Sequence, residues 1–366
     1  MSAWEEPRWI KAAPDPVLSP DEIAATAASI AAVQLTNGMI PWFPGGHADP
    51  WNHVEAAMAM AVGGFRAEAE RAYAWLADTQ HPDGSWCCYY LADGVEEPRR
   101  DTNVVAYVAT GVWHHYLLTG DRGFLEWAWP MVRAAINFSL SHQLPGGELV
   151  WAVSPNERLP DYALVTGSSS AYFSLRCAIA VAEEVGDDQP EWEMAAGRLA
   201  HAVAFGRHRF EPKDRWAMDW YYPVLSGALS GAAARAQMAS RWEDFVMDGL
   251  GVRCVSDSPW VTAAETAECV MALDAVGWCE DARRLFGWVQ HLRHDDGSYW
   301  TGMVHPQRVH FPGGERSTYT AAAVVLAAHA LGSTDAPAGL FRGEGLPSGV
   351  ALPAPALSEA AEADGD

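Results

Sequence analysis

Two kinds of helix-length segment alternate along this chain, and that alternation limits the fold more than any other feature. One kind carries charge on one face and apolar residues on the other: residues 22–35, 67–79, 124–143 and 280–292, as expected of helices with one face in water. The other is poor in charge beyond its first turn and rich in Ala, Val and Leu: residues 51–62, 102–118, 168–185, 221–235, 261–276 and 317–331. Helices apolar on all sides are buried ones. Loops with a glycine followed by an aromatic join the two kinds, as in "LTNGMIPWF" (35–43), "QHPDGSWCCYY" (80–90), "LPGGELVWAV" (144–153) and "RHDDGSYWTGMV" (293–304).

Residues 191–207 and 236–247 complete the outer set, and Gly120-Asp121 and Gly186-Asp187 read as helix stops. About twelve periodic segments in an inner/outer alternation predict an all-α fold, an (α/α)6 toroid or barrel of six inner and six outer helices. An open α-solenoid is the next alternative. The expected organisation is an N-terminal extension over residues 1–20, the toroid over 21–332, and a Pro/Ala/acid-rich tail over 333–366 ending in "SEAAEADGD", partly packed and then disordered.

With 366 residues, 49% of them hydrophobic, the chain can bury a large core. A net charge of −23 sets it against nucleic acid and anionic membranes as partners. No stretch approaches the roughly 20 continuous apolar residues of a membrane span. The start, "MSAWEEPRW", has no basic stretch followed by an apolar run, so no secretory leader is expected. The six cysteines form no CxxC pair, and buried reduced thiols in a cytoplasmic protein are the expectation. Eighteen Trp supply large apolar faces suited to cores, pockets and sugar-stacking walls.

In such a toroid the first turns of the inner helices converge on one mouth, with their positive dipole ends toward it. The polar residues collect there. The first inner helix is headed by His47, Asp49, Trp51, His53 and Glu55, and the second by Arg100, Asp101 and Asn103. Asp161 and "TGSSS" precede the third, and the fourth has Lys213, Asp214, Arg215, Asp219, Trp220, Tyr221 and Tyr222. Arg253, Asp257, Trp260, Glu265 and Glu268 belong to the fifth. Trp300, His305, His310, Glu315 and Arg316 belong to the sixth. Asp49, Asp101, Asp257 and Ser168 also suit helix caps. Glu55, Glu265 and Glu268 lie too deep in their helices for that and need a partner, water or a ligand. Salt bridges to Arg253 or Arg316 are the structural alternative. The spacing of His47, Asp49, His53 and Glu55 matches no metal motif, and neither metal nor cofactor is expected.

The segment "RRDTNVVAYVATGVWHHYLLTGDRGFLEWAWPMVRAAINFSLSHQ" resembles the six-hairpin glycosidases of the glucoamylase and trehalase type, with an Arg-Asp before an apolar helix and then "TGD", "FL" and "WP". "ERSTYTAAAVVLAAHAL" resembles their last inner helix. A second resemblance is to terpenoid cyclase and prenyltransferase toroids, through "HPDGSW" and "HDDGSYW". The whole chain also resembles an actinobacterial group of toroids labelled prenyltransferase, through "GMIPWFPGGHADPWNHVEAAMA", "MDWYYPVLSGAL", "GVRCV" and "YWTG". The sequence has no DxDD acid of the cyclases and no Asp-x-Cys zinc pattern of the protein prenyltransferases. Trp151 is followed by Ala152 where glucoamylase-like enzymes carry their acid. The glycosidase resemblance transfers only Arg100-Asp101 as a sugar-gripping pair.

These observations favour a carbohydrate-active enzyme acting on a glycoside by carboxylate acid/base chemistry. Asp219, Glu265, Glu268 and Glu315 are the catalytic candidates. Asp49, Glu55 and Asp101 would grip hydroxyls, with Trp51, Trp220 and Trp260 stacking on sugar faces. His47, His53, Arg100, Asn103, Tyr221, Tyr222, Arg253 and Trp300 complete the expected binding set. One alternative is an enzyme acting on an isoprenoid. The other is a non-catalytic toroid that binds a sugar or a protein.

Overall fold

A computed structural model describes residues 17–159, 161–347, 350 and 352. The expected N-terminal extension falls outside them over residues 1–16, as does the acidic chain end from 353. The first helices are α1 (Pro20–Ala31), α2 (Pro50–Val62), α3 (Arg66–Thr79), α4 (Thr102–Ala106), α5 (Val108–Thr119) and α6 (Arg122–Leu140). There follow α7 (Val165–Val185), α8 (Pro190–Phe205), α9 (Met218–Leu225), α10 (Gly231–Ser240) and α11 (Trp242–Phe245). The last are α12 (Ala263–Ala275), α13 (Cys279–Val289) and α14 (Thr318–Gly332). None is long and apolar enough to cross a membrane.

Of the expected N-terminal caps only Asp49 acts as one: Asp101 heads α4 without a side-chain cap bond, Ser168 lies inside α7, and Asp257 lies in the turn before Trp260. Ser19 and Glu22 cap α1 reciprocally, the Ser19 N–H donating to the Glu22 carboxylate at 2.8 Å. Asp49 and Asp121 cap α2 and α6, and Gly120 and Gly186 close α5 and α7.

The charge-poor helices pack in succession: α2 on α5, α5 on α7, α7 on α9, α9 on α12, α12 on α14, and α14 back on α2. The amphipathic helices lie behind them, with α1 against α14 and α2, α3 against α2, α6 against α5 and α7, α8 against α7, α10 against α9, and α13 against α12. The repeated loops tie neighbouring hairpins together. Gln34 Nε2 donates to the carbonyls of Gly38 and Glu68 at 3.0 and 2.9 Å. Gln80 does the same to Gly84 and Met131, and Gln143 to Gly147 and Ala195, all at 2.9 to 3.0 Å. Each glutamine thus joins its own loop to the next outer helix.

Three expectations need correction. The fourth inner helix does not run over 221–235: α9 stops at Leu225, because "SGALSG" turns the chain, and α10 then packs on α9 as its outer partner. The segment 236–247 therefore holds only the end of α10, the short α11 and a first strand. Nor is the fold all-α. A five-stranded antiparallel sheet runs through β5 (Val246–Met247), β6 (Gly251–Arg253), β7 (Trp260–Thr262), β8 (Gly302–Val304) and β9 (Val309–Phe311), after the small pairs β1 (Tyr89–Leu91) with β2 (Gly94–Glu97) and β3 (Arg100–Asp101) with β4 (Ala152–Val153). Strands of two to four residues are too short for a period-two pattern to stand out in sequence. In the large sheet Thr262 pairs with Gly302, and Gly302 with Phe311. β7 leads straight into α12.

At the opposite end of the helices, the 3-10 segment Pro337–Arg342 packs against α5, α12 and α14. Phe341 stacks on Phe173 with ring centres 5.4 Å apart and planes 9° from parallel. The end of the inner helices remote from their first turns is therefore covered by the chain itself.

Candidate active site

Two carboxylates on inner helices face one narrow cavity with Tyr107, Ser170, Phe173 and Tyr222 in its lining. Glu55 Oε1 accepts from Trp51 Nε1 and from the Tyr107 hydroxyl, both at 3.0 Å. Glu268 accepts on one oxygen from Tyr222 at 2.7 Å and on the other from Tyr221. Trp51 packs between Tyr107 and Tyr222, at 5.3 and 5.7 Å, and so joins the two groups. Burial pushes Glu55 up to about 7, and burial together with repulsion from Glu55 pushes Glu268 well above the carboxylate range.

Nearer the first turns, Asp49 is both cap and site residue. Its Oδ1 accepts the Asn52 backbone N–H at 3.0 Å, and its Oδ2 accepts Trp42 Nε1 and Asn52 Nδ2, both at 2.6 Å. Burial raises its proton affinity, and those donors oppose the rise. The Trp42 ring meets His47 at 4.4 Å, Tyr319 at 5.0 Å and Tyr89 at 5.8 Å. His47 stacks on Tyr89 at 4.2 Å and pairs with Glu96 at 3.0 Å. The negative charges of Glu265, Glu315 and Asp49 bear on the Tyr319 hydroxyl, and those of Asp49 and Asp101 on Tyr89. Glu265 is half-buried, forms no ion pair among the described residues, and is pushed up by burial. Glu315 is half-buried and raised by burial, with His47 opposing.

Asp101 is buried at the start of α4 with Arg99, not Arg100, as its partner: Arg99 Nε donates at 2.9 Å while the guanidinium lies 4.8 Å over the Trp151 ring. Burial raises Asp101, and Arg99 holds against it. Arg100 turns away to pair with Asp83 in the repeated loop. Asn103 is buried against Gly167, where an added Cβ would lie 3.1 Å from its Oδ1.

Four further expected site residues serve the framework. His53 Nδ1 accepts the Ile40 N–H at 3.1 Å while Nε2 meets the Ala72 carbonyl at 2.9 Å, and burial lowers it to about 4. It points at α3. Trp220 stacks on Phe245 at 5.4 Å and donates to the Gln237 carbonyl at 2.9 Å, toward α10 and α11. Arg253 donates to the carbonyls of Ser256 and Glu243, and so braces the sheet without reaching Glu265 or Glu268. Asp219 is buried between Thr166, at 2.8 Å, and Arg207, at 3.1 Å. Trp260 is 38% exposed beside Phe311, and Trp300 stacks on His310 at 4.3 Å under Arg316; both belong to the sheet and its flanking loop. Among the described residues, no three His, Cys, Asp or Glu side chains are grouped to hold a metal.

Reading the sequence missed Trp42, Tyr89, Arg99, Tyr107 and Tyr319. "RRD" did signal a guanidinium beside Asp101 but did not say which arginine. Tyr107 sits at the junction of α4 and α5 and Tyr319 on α14, where a core aromatic looks the same.

No family model matches the chain. It is 53% identical over 334 residues to the MMP endo-(1,4)-3-O-methyl-alpha-D-mannosidase of Mycolicibacterium hassiacum, covering 91% of this chain and 92% of that one. The chain belongs to the family of that glycoside hydrolase. The hydrolase is also 28% identical over 169 residues to an uncharacterized glycosyl hydrolase of Methanocaldococcus jannaschii, covering 44% of this chain and 26% of that protein. Two solved structures share its fold. A wild-type glycosidase has a TM-score of 0.67 and 15% identity over 84% of this chain and 95% of its own. The GH63 mannosylglycerate hydrolase of Thermus thermophilus has 0.64 and 16% over 83% and 99%. The hydrolase is thus a carbohydrate-active enzyme. These relatives leave the prenyltransferase label and the isoprenoid alternative without support, and the non-catalytic reading gives way.

Proposed function

We propose that the chain cleaves internal (1,4) linkages between 3-O-methylated α-mannose units, with Glu265 as general acid and Asp49 as the ionised carboxylate opposite it. The relative at 53% identity is named for that reaction. The asymmetry between the two carboxylates supports the assignment. Glycoside cleavage needs one carboxyl that keeps its proton for the leaving oxygen and one that is charged. Glu265 is pushed up by burial with no cation beside it, which suits the proton donor. Burial raises Asp49 as well, but two short N–H donors on Oδ2, a third on Oδ1 and the start of α2 behind it oppose that rise and favour its charge. The charges of both bear on the Tyr319 hydroxyl. The role of Asp49 thereby moves from gripping hydroxyls to chemistry. Asp101, held by Arg99, keeps the hydroxyl role, and Trp42 and Tyr89 supply aromatic surface.

The unbroken succession of inner-helix contacts supports the (α/α)6 toroid as the frame, with the sheet as one wall of its mouth. The six thiols, all free, support a reducing, cytoplasmic setting.

The test is turnover of a (1,4)-linked 3-O-methylmannose oligosaccharide, with unmethylated mannosides and prenyl diphosphates as comparisons and products read by mass. Cleavage of the methylated chain is expected, with a loss of about 10²–10⁴ in kcat for Glu265→Gln and for Asp49→Asn. Full turnover by both variants would refute the assignment.

A further inference from the structure

Beneath the proposed acid and base, the same two helices carry a second tier of carboxylates. Glu268 follows Glu265 by three residues, about one turn, on α12, and Glu55 lies on α2 six residues after Asp49, the cap of that helix. Both Glu55 and Glu268 are buried, at 7% exposure each. Neither forms an ion pair among the described residues. The charged groups bearing on them are acidic: Asp49 on Glu55, and Glu55 and Glu265 on Glu268. The hydrogen bonds they accept come from neutral donors, Trp51 from α2, Tyr107 from between α4 and α5, and Tyr221 and Tyr222 from α9, and the Ser170 and Ser226 hydroxyls that also line the cavity are neutral as well. Neutral donors around a cavity with room for about one water can support one negative charge, and two buried carboxylates lining it with no cation cannot both ionise.

The hydrogen bonds leave a place for a proton. Three carboxylate oxygens of the pair already accept N–H or O–H groups, and Glu55 Oε2 accepts none among the described residues.

We infer that Glu55 and Glu268 hold a single proton between them, and that the one negative charge left on the pair lies beneath Glu265 and keeps a proton on it. The pair titrates as a unit. Glu55 and Glu268 are then positioning residues: they touch no reacting atom but fix the protonation of the group that does. This deepens the assignment of Glu265 made above and rests on it, whereas the shared proton can be measured without substrate.

Infrared difference spectra of the free full-length chain at neutral pH provide that measurement. Glu55→Gln and Glu268→Gln, both isosteric with a protonated carboxyl, should each remove one protonated-carboxyl C=O absorption. Either variant suffices if the other does not fold. If the absorption of a folded variant equals that of the wild type, the shared proton is refuted, whatever the substrate proves to be. Each single variant keeps one negative charge, and the double variant Glu55→Gln/Glu268→Gln keeps none. The alkaline limb of kcat, set by the acid, should move down by about one pH unit in the double variant. A fall in kcat at every pH with the limb unmoved would assign the pair a packing role only and overturn the second half of the inference.

Discussion

The indole N–H of Trp42 donates to Asp49 Oδ2 at 2.6 Å, so a residue of the first repeated loop governs a carboxylate on the first inner helix. A hydrogen bond to a charged group contributes about 1.5–3 kcal/mol. In Trp42→Phe the ring contacts with His47, Tyr89 and Tyr319 can persist while the donor is lost. The expected result is a fall in kcat/KM of about tenfold or more, with the acid limb of the pH profile moved upward because Asp49 protonates more easily. A variant with a normal acid limb would separate Trp42 from the charge on Asp49.

The repeated loops should be as sensitive as the core. Gly84 has φ 91°, and a Cβ there would lie 2.2 Å from the Ala134 carbonyl oxygen on the next outer helix. Gly84→Ala therefore combines a left-handed backbone with a clash against main chain that cannot swing aside. A loss of about 2 kcal/mol or more in urea unfolding is expected. Gln80→Ala should cost less, about 1–3 kcal/mol, by leaving the Gly84 and Met131 carbonyls short of a donor. Equal stability of Gly84→Ala and wild type would show that the loop does not couple the hairpins.

Stability should depend on pH through groups of opposite sign. Glu55 is raised from its ordinary 4.5 to about 7, so the folded state holds the extra proton between those values. Its contribution is full below about 4.5 and is lost as pH rises toward 7, with a slope of about 1.4 kcal/mol per pH unit for one proton. His53, lowered from 6.5 to about 4, acts the other way: the unfolded state binds the proton, and stability rises with pH across that window. The comparison of wild type with Glu55→Gln cancels the histidine. Between pH 4.5 and 7 the wild type should lose stability relative to the variant. Parallel curves would remove Glu55 as the titrating group.

Much of the architecture was legible because it rests on local chemistry. Asp49 caps the helix it precedes, Gly120 and Gly186 end the helices they follow, and the charge-poor stretches are the buried ones, whereas Asp101, Ser168 and Asp257, of the same residue types, cap nothing. The sheet was not legible. Its strands are two or three residues long, and its two halves are joined by the pairing of Thr262 with Gly302, which are distant in sequence. The fourth inner helix was overrun because composition continues smoothly past Leu225 while the backbone turns.

The sequence by itself determined which residues lie at the heads of buried helices, and so assembled Asp49, Glu55, Asp101, Glu265 and Glu268 as one set. Which way each side chain turns was decided only by tertiary structure. His53, one residue after Asn52 on the same helix, is turned toward α3 by 3.6-residue periodicity and takes up the Ile40 N–H and Ala72 carbonyl. Arg99, just before β3, and Arg100, its first residue, face different ways, one to Asp101 and one to Asp83. Trp220 and Tyr221 part in the same way, one into the outer layer and one onto Glu268. Tyr107, the adjacent pair Tyr221 and Tyr222, and Trp42 come from three separate segments, and only the packing of those segments brings their donors to Glu55, Glu268 and Asp49. A carboxylate's identity is a local property, but the proton affinity that decides its role is set by neighbours that the chain brings from far away.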